Sequence, residues 1–284
     1  MTQRVRWPEF WFLYGRVFRQ MGQPILWAPL LLQGLIALAV VVVHYYIFSP
    51  LTGPVMSGWI RLIRPDYAPS LYHYPAHFVF LPYFFGNARV IVNLLTEALL
   101  SAVMIDMLMS IYRGERPAFM VSFSHAWRRY LPLTLVWAVV IGVLYLVNAY
   151  FLDFVQNVLG YSLQIAPRRQ FAASLLLRVL TVMIYAPAIY LLPSIMAGGR
   201  PFWGLIQRGL AVFARHPFVA IGLVVIPYLI GLPPSWASAE SDKIVTSFYP
   251  ELVYHLIIIS IVVDVFVNFI LLGTSVKFFL DQSD

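Results

Sequence analysis

The feature that most constrains this chain is the absence of charge over long stretches. No Asp, Glu, Lys or Arg lies between Arg19 and Arg61, and 24–48 is almost wholly apolar. A helix rises about 1.5 Å per residue, so about 20 apolar residues cross a hydrocarbon core of about 30 Å. Five further runs share this character: 90–112, 131–152, 171–197, 217–233 and 252–279. The second holds Glu97 and Asp106, the fourth Arg178 and the sixth Asp264. Pro187 and Pro193 predict kinks in the fourth run, and Pro227 an interruption in the fifth. Composition agrees, with 61% hydrophobic and 11% charged residues and a mean hydropathy of +0.80. Soluble domains hold about 45–50% apolar and about 25% charged residues. The predicted fold is an all-α integral membrane protein with six transmembrane helices. Disorder is excluded on the same grounds.

The chain has no cysteine, which removes disulfides, thiolate metal sites, Fe–S clusters and cysteine nucleophiles. Residues 1–23 lack an apolar core followed by a small-residue cleavage site, so no cleaved signal peptide is expected. The net charge of +7 would suggest nucleic acid in a soluble protein. Here the cations are mostly Arg beside apolar runs, which points to lipid phosphates and topology control rather than nucleic acid.

Six spans place both termini on one side. One set of span ends carries Arg4, Arg6, Arg16, Arg19, Arg113, Arg116, Arg128, Arg129, Arg200, Arg208, Arg215 and Lys277. The other carries Arg61, Arg64, Arg89, Arg168, Arg169 and Lys243. Twelve against six predicts cytoplasmic termini. The aromatic-rich segment 49–89 would then lie at the outer interface.

The chain also repeats a pattern. Arg6-Trp-Pro8, Arg116-Pro117 and Arg200-Pro201 each open a short stretch that ends at a second proline, Pro24, Pro132 or Pro217. Ser110-Ile-Tyr-Arg-Gly-Glu-Arg-Pro117 matches Ser194-Ile-Met-Ala-Gly-Gly-Arg-Pro201 at an offset of 84. The predicted unit is an interfacial helix followed by a transmembrane hairpin, in three copies over 7–113, 116–197 and 200–281 of a single membrane domain. Proline suits a first helical turn, where its missing N–H costs nothing. The stretches between prolines are amphipathic, with Trp and Phe opposite Arg and Gln. Such helices lie in the headgroup plane. Arg16, Arg19, Arg128, Arg129, Arg208 and Arg215 are the expected contacts to anionic headgroups.

Gly114-Glu-Arg-Pro-Ala-Phe…Ala126-Trp-Arg-Arg and Gly199-Arg-Pro-Phe-Trp…Arg208 sit within this six-span plan. The plan resembles a YciC-like superfamily of bacterial inner-membrane proteins, and also the membrane domain of some glycerophosphodiester phosphodiesterases. The resemblance implies a non-catalytic module of the bacterial inner membrane. It assigns no functional residue.

No phosphate-binding loop, dinucleotide fingerprint or nucleophile elbow is present. His73 and His77 are spaced for one helix face, but Pro75 intervenes and no acidic ligand is adjacent, so no metal or other cofactor is expected. The ionisable residues inside the spans are the informative set. Arg89, Asn93, Glu97 and Ser101 run at i, i+4 spacing in span two. Ser174, Arg178 and Thr181 form a stripe in span four, and Ser260, Asp264 and Asn268 one in span six. A charge in hydrocarbon costs at least about 2.5–3.5 kcal/mol, so it faces a partner or water. The expected arrangement gathers spans two, four and six around Arg178, with Glu97 and Asp264 as its counter-charges. Asp106, on the other side of span two, is expected near Arg113 or Arg128.

Two functional classes use such a cluster. It is either the glue of a non-enzymatic scaffold or accessory subunit, meeting lipids, partner membrane proteins or further copies of itself, or the lining of a pathway for an ion, lipid or other amphiphile. The first is the expected role and the second its alternative. A membrane enzyme would need clustered acid, base or metal groups, and the sequence offers none.

Overall fold

The computed structural model describes residues 7–46, 49–63, 74–159 and 167–283, and its regular elements are helices. Six are long and apolar enough to cross a membrane, spanning 22 to 37 residues, so the chain is a polytopic membrane protein. A 3₁₀ turn, Pro24–Trp27, leads into α2 (Ala28–Tyr45) as span one. Span two is α4 (Ala76–Tyr112), span three α6 (Tyr130–Leu159) and span five α10 (Pro217–Ala239). Span four is divided into α7 (Pro167–Ala188) and α8 (Leu191–Ala197), and span six is α12 (Leu252–Ser283). The shorter helices are α1 (Trp7–Gln20), α3 (Gly53–Ile63), α5 (Phe119–Arg128), α9 (Phe202–Arg215) and α11 (Ser241–Ser247).

Span two differs most from expectation. It begins at Ala76 rather than 90, because the aromatic stretch read as interfacial continues the helix. Phe78, Leu81, Phe84 and Phe85 are buried against neighbouring elements, and Pro82 is accommodated within the helix. The same packing buries His77, while His73 lies outside the described residues. Span four breaks at 189–190, two residues after Pro187. Pro193 then falls in the first turn of α8, where a missing N–H costs nothing. Pro227, Pro233 and Pro234 stay inside α10 without ending it.

The helices α4 and α12 are the central pair, and α2 packs on both. The helix α6 packs on α4, α10 on α12, and α7 lies between α6 and α10. Close approaches depend on small residues, as in other membrane bundles. A Cβ on Gly34 of α2 would stand 3.0 Å from Val265, and one on Gly273 of α12 would stand 2.7 Å from Val17 of α1. The main core gathers at one end, from Ala98–Met109, Ala186–Met196 and Phe269–Phe279, where α1, α5 and α9 cap the bundle.

These three capping helices divide their apolar surface in two. On α1, Phe10, Leu13, Tyr14 and Val17 are buried in the protein, while Trp11, Phe12 and Phe18 remain exposed. On α9, Leu205 and Val212 are buried and Trp203 is exposed; on α5, Ala126 is buried and Trp127 exposed. One stripe therefore docks the helix on the bundle and another is left free with a tryptophan, the residue favoured at membrane–water interfaces. Arg16, Arg19, Arg128 and Arg215 are exposed on these elements.

Two of the expected headgroup arginines have protein partners. Arg129 donates from Nη1 to the carbonyl of Ile195 at 2.8 Å and also to that of Met196, closing the end of α8. The last carbonyls of a helix lack intrahelical donors, and a cation there also meets the negative end of the dipole. Gly198 follows with φ 66°, and a Cβ on it would stand 2.7 Å from Arg129 Nη2. That position accepts only glycine without displacing the guanidinium. Arg208 lies over the ring of Phe279, 5.2 Å from its centroid.

Candidate functional site in the membrane-spanning bundle

Among the described residues, the ion pair that links two spans joins Arg89 and Asp264. Arg89 Nη2 lies 2.7 Å from Asp264 Oδ2, which links α4 to α12, and their side chains are 29% and 28% exposed. The pairing follows from the packing. The helices α4 and α12 run in the same direction side by side, and the long Arg side chain spans the gap. Arg89, Asn93, Asp264 and Asn268 line one cavity together with Gln33 of α2. About 20 Å³ of it is open to the centre of a water molecule, room for about one water.

Glu97 lies two turns further along α4. Its carboxyl is hydrogen-bonded by the Gln33 side chain and feels the charges of both Arg89 and Asp264. It lines a second cavity, again with about 20 Å³ open to water, bounded by Ser101, Trp137, Tyr185, Asn268 and Ser275. Asn268 lines both cavities, so the two are stacked along α12. Gln33 is only 8% exposed and Trp137 6%, yet Gln33 Oε1 and Trp137 Nε1 close no hydrogen bond of normal geometry. A buried polar atom left without a partner costs about 1–3 kcal/mol.

Arg178 is not at the centre of this group. Among the described residues, no ion pair or hydrogen bond reaches it, and it lines neither cavity. The reason is the position of α7, which packs on α6 and α10 rather than on the central pair. The counter-charge of Asp264 is therefore Arg89, and Glu97 is held by uncharged partners from α2 and α6. Thr181 donates to the carbonyl of Leu177 in its own helix. Asp106 also differs from expectation: its Oδ2 lies 3.2 Å from Nδ1 of His125 on α5, rather than beside Arg113 or Arg128.

Gln33, Trp137 and Tyr185 belong to the site and were not singled out from the sequence. The available signal for Gln33 was a lone amide in an otherwise apolar span. Trp137 and Tyr185 read as ordinary apolar wall residues.

A third cavity opens beside the ion pair. It is an apolar groove of about 260 Å³ between α2 and α12, lined by Trp27, Leu31, Leu35, Leu38, Val262 and Phe266 among others. Gly34, Ile261 and Val265 line both this groove and the Arg89–Asp264 cavity. Leu31, Leu35, Val262 and Phe266 are exposed on the face a bilayer would cover. No protein-family model, curated protein or solved structure matches the chain.

Proposed function

We propose that this protein binds an amphiphile drawn from the bilayer and moves it along the cleft between spans one, two and six. The observation that carries this reading is the continuity of the apolar groove with the charged cavity across Gly34, Ile261 and Val265. A ligand with an acyl tail would lay the tail on Leu31, Leu35 and Phe266. Its polar group would then meet Arg89, Asn93, Asp264 and Gln33, which together offer donors and acceptors at one place. Arg89 and Asp264 neutralise each other, which favours a zwitterionic or uncharged polar group over a strongly charged one. We also propose that the chain is non-enzymatic, that it is related to YciC-like inner-membrane proteins, that its termini are cytoplasmic and that it is built from three repeated units. The positive φ of Gly114 and of Gly198, at matching places in the repeated segment, supports the repeat.

Native mass spectrometry of the detergent-extracted protein tests this reading. A retained amphiphile is expected on the native chain and lost from Val262→Trp, which fills the groove from an exposed lining position. No retained species, or equal retention by the variant, would overturn it. The scaffold reading has its own support, since Arg89–Asp264 ties α4 directly to α12. It gains if the protein reconstituted alone moves no fluorescent phospholipid between leaflets and instead co-purifies with one defined partner.

A further inference from the structure

We propose that Glu97 is a proton-binding site, reached by water from both of the small cavities between which it lies. The carboxylate takes a proton from a hydronium ion, leaving a neutral carboxyl and one water molecule, and returns it by the reverse step. Three observations carry this. Glu97 lines the cavity of Ser101 and Ser275, and through Gln33 it adjoins the cavity of Arg89 and Asp264. Each cavity has room for about one water, and a bridging water needs two to four polar partners, which both linings supply. Gln33 and Trp137, both more than nine-tenths buried, reach the carboxyl with their side-chain N–H groups, and Gln33 Oε1 is left without a partner beside it. The free Gln33 Oε1 is an acceptor that would hold a water next to Glu97.

The charged groups facing the carboxyl are Arg89 of α4 itself and Asp264 of α12. Gln33 of α2 hydrogen-bonds the carboxyl, Trp137 of α6 and Asn268 of α12 are neutral, and Tyr185 of α7 is the nearby phenol. His125 of α5 faces Asp106, nine residues away on α4, and not Glu97. With Arg89 committed to Asp264 at 2.7 Å, no cation is bonded to Glu97 alone, so protonation breaks no ion pair. Ionisable groups placed this way inside membranes mark ion and proton routes.

The test uses the full chain in lipid nanodiscs with dicyclohexylcarbodiimide, which modifies protonated carboxyls in apolar surroundings, and peptide mass mapping. Labelling of Glu97 is expected, falling at least tenfold as pH is raised from 5 to 9, each tenfold being about 1.4 kcal/mol. Glu97 left unlabelled throughout, or labelled equally at every pH, would overturn the proposal. Gln33→Leu removes the hydrogen-bond partner and is expected to shift the pH midpoint of labelling; an unmoved midpoint would also overturn it. The site is scored with no amphiphile added, so failure of the amphiphile reading leaves this result unaffected.

Discussion

Replacing Arg89 by Met strands the Asp264 carboxylate in the middle of a membrane-spanning bundle. At 2.7 Å the gross attraction is about 6 kcal/mol at an effective dielectric of about 20. Removing one partner of a fully buried pair costs about 3–5 kcal/mol. Both side chains keep somewhat over a quarter of their surface exposed, so the lower end, about 3 kcal/mol, is expected. Asp264→Asn should cost less, since the amide still accepts a hydrogen bond from the guanidinium. The double variant should be more stable than the sum of the singles by about 1–3 kcal/mol, because no charge is then left unpaired. Thermal unfolding in detergent, followed by tryptophan fluorescence, reads the effect as a fall of about 6–12 °C for Arg89→Met, on the scaling of soluble domains. Arg178→Met is the control: with no bonded partner among the described residues, it should change stability by about 0.5 kcal/mol or less. If Arg89→Met were as mild as the control and additive with Asp264→Asn, the pair would not hold α4 to α12. If Arg178→Met were the severe variant, the packing of α7 described above would be wrong.

Three further outcomes follow from other parts of the bundle. Arg129→Lys should lower the unfolding temperature because a single ammonium cannot reproduce the guanidinium fork; Gly198→Ala should act in the same direction, and the two together should cost less than their sum. Tyr14 is buried without a hydrogen-bond partner for its hydroxyl, and burial holds its phenol above the usual range. A group whose folded pKa is raised contributes stability that is complete below its unfolded value, about 10, and is lost as pH rises through the folded one. Tyr14→Phe should therefore be neutral or stabilising at pH 7 and flatten the alkaline fall of a stability–pH curve above about pH 10. For topology, an impermeant thiol reagent applied to intact cells should label Asp242→Cys and spare Glu115→Cys, both at exposed positions; labelling of residue 115 would reverse the orientation.

The helical spans were legible because one variable decides them. Hydrocarbon cannot hydrogen-bond a peptide group, so long charge-free runs have to become helices. That argument located all six spans, and the break in span four followed from local chemistry at Pro187, whereas the kink expected at Pro193 and the interruption expected at Pro227 do not occur. It failed at 76–89, where tyrosines and phenylalanines look interfacial in composition but are buried by α2, α3 and α11 in three dimensions. Local sequence cannot report such burial.

The membership of the polar cluster was legible in part. Arg89, Asn93, Asp264 and Asn268 share one cavity, and Glu97 adjoins it, as their i, i+4 stripes suggest. Their pairing was not. Equal depth in a bilayer makes Arg178 as good a partner for Asp264 as Arg89 is, and periodicity along a helix does not say which neighbour it faces. Likewise Arg129 and Arg208 read as headgroup contacts beside Arg128 and Arg215, although one closes α8 and the other covers Phe279. What the sequence alone determined is therefore the one-dimensional part: which segments are helical, which face of each is apolar, and that the ionisable residues inside the spans need partners or water. The tertiary structure decided the two-dimensional order of helices in the membrane plane, with α7 set away from α4 and α12. Interhelix packing depends on side-chain shape and small-residue contacts such as Gly34 on Val265 and Gly273 on Val17, which hydropathy does not encode.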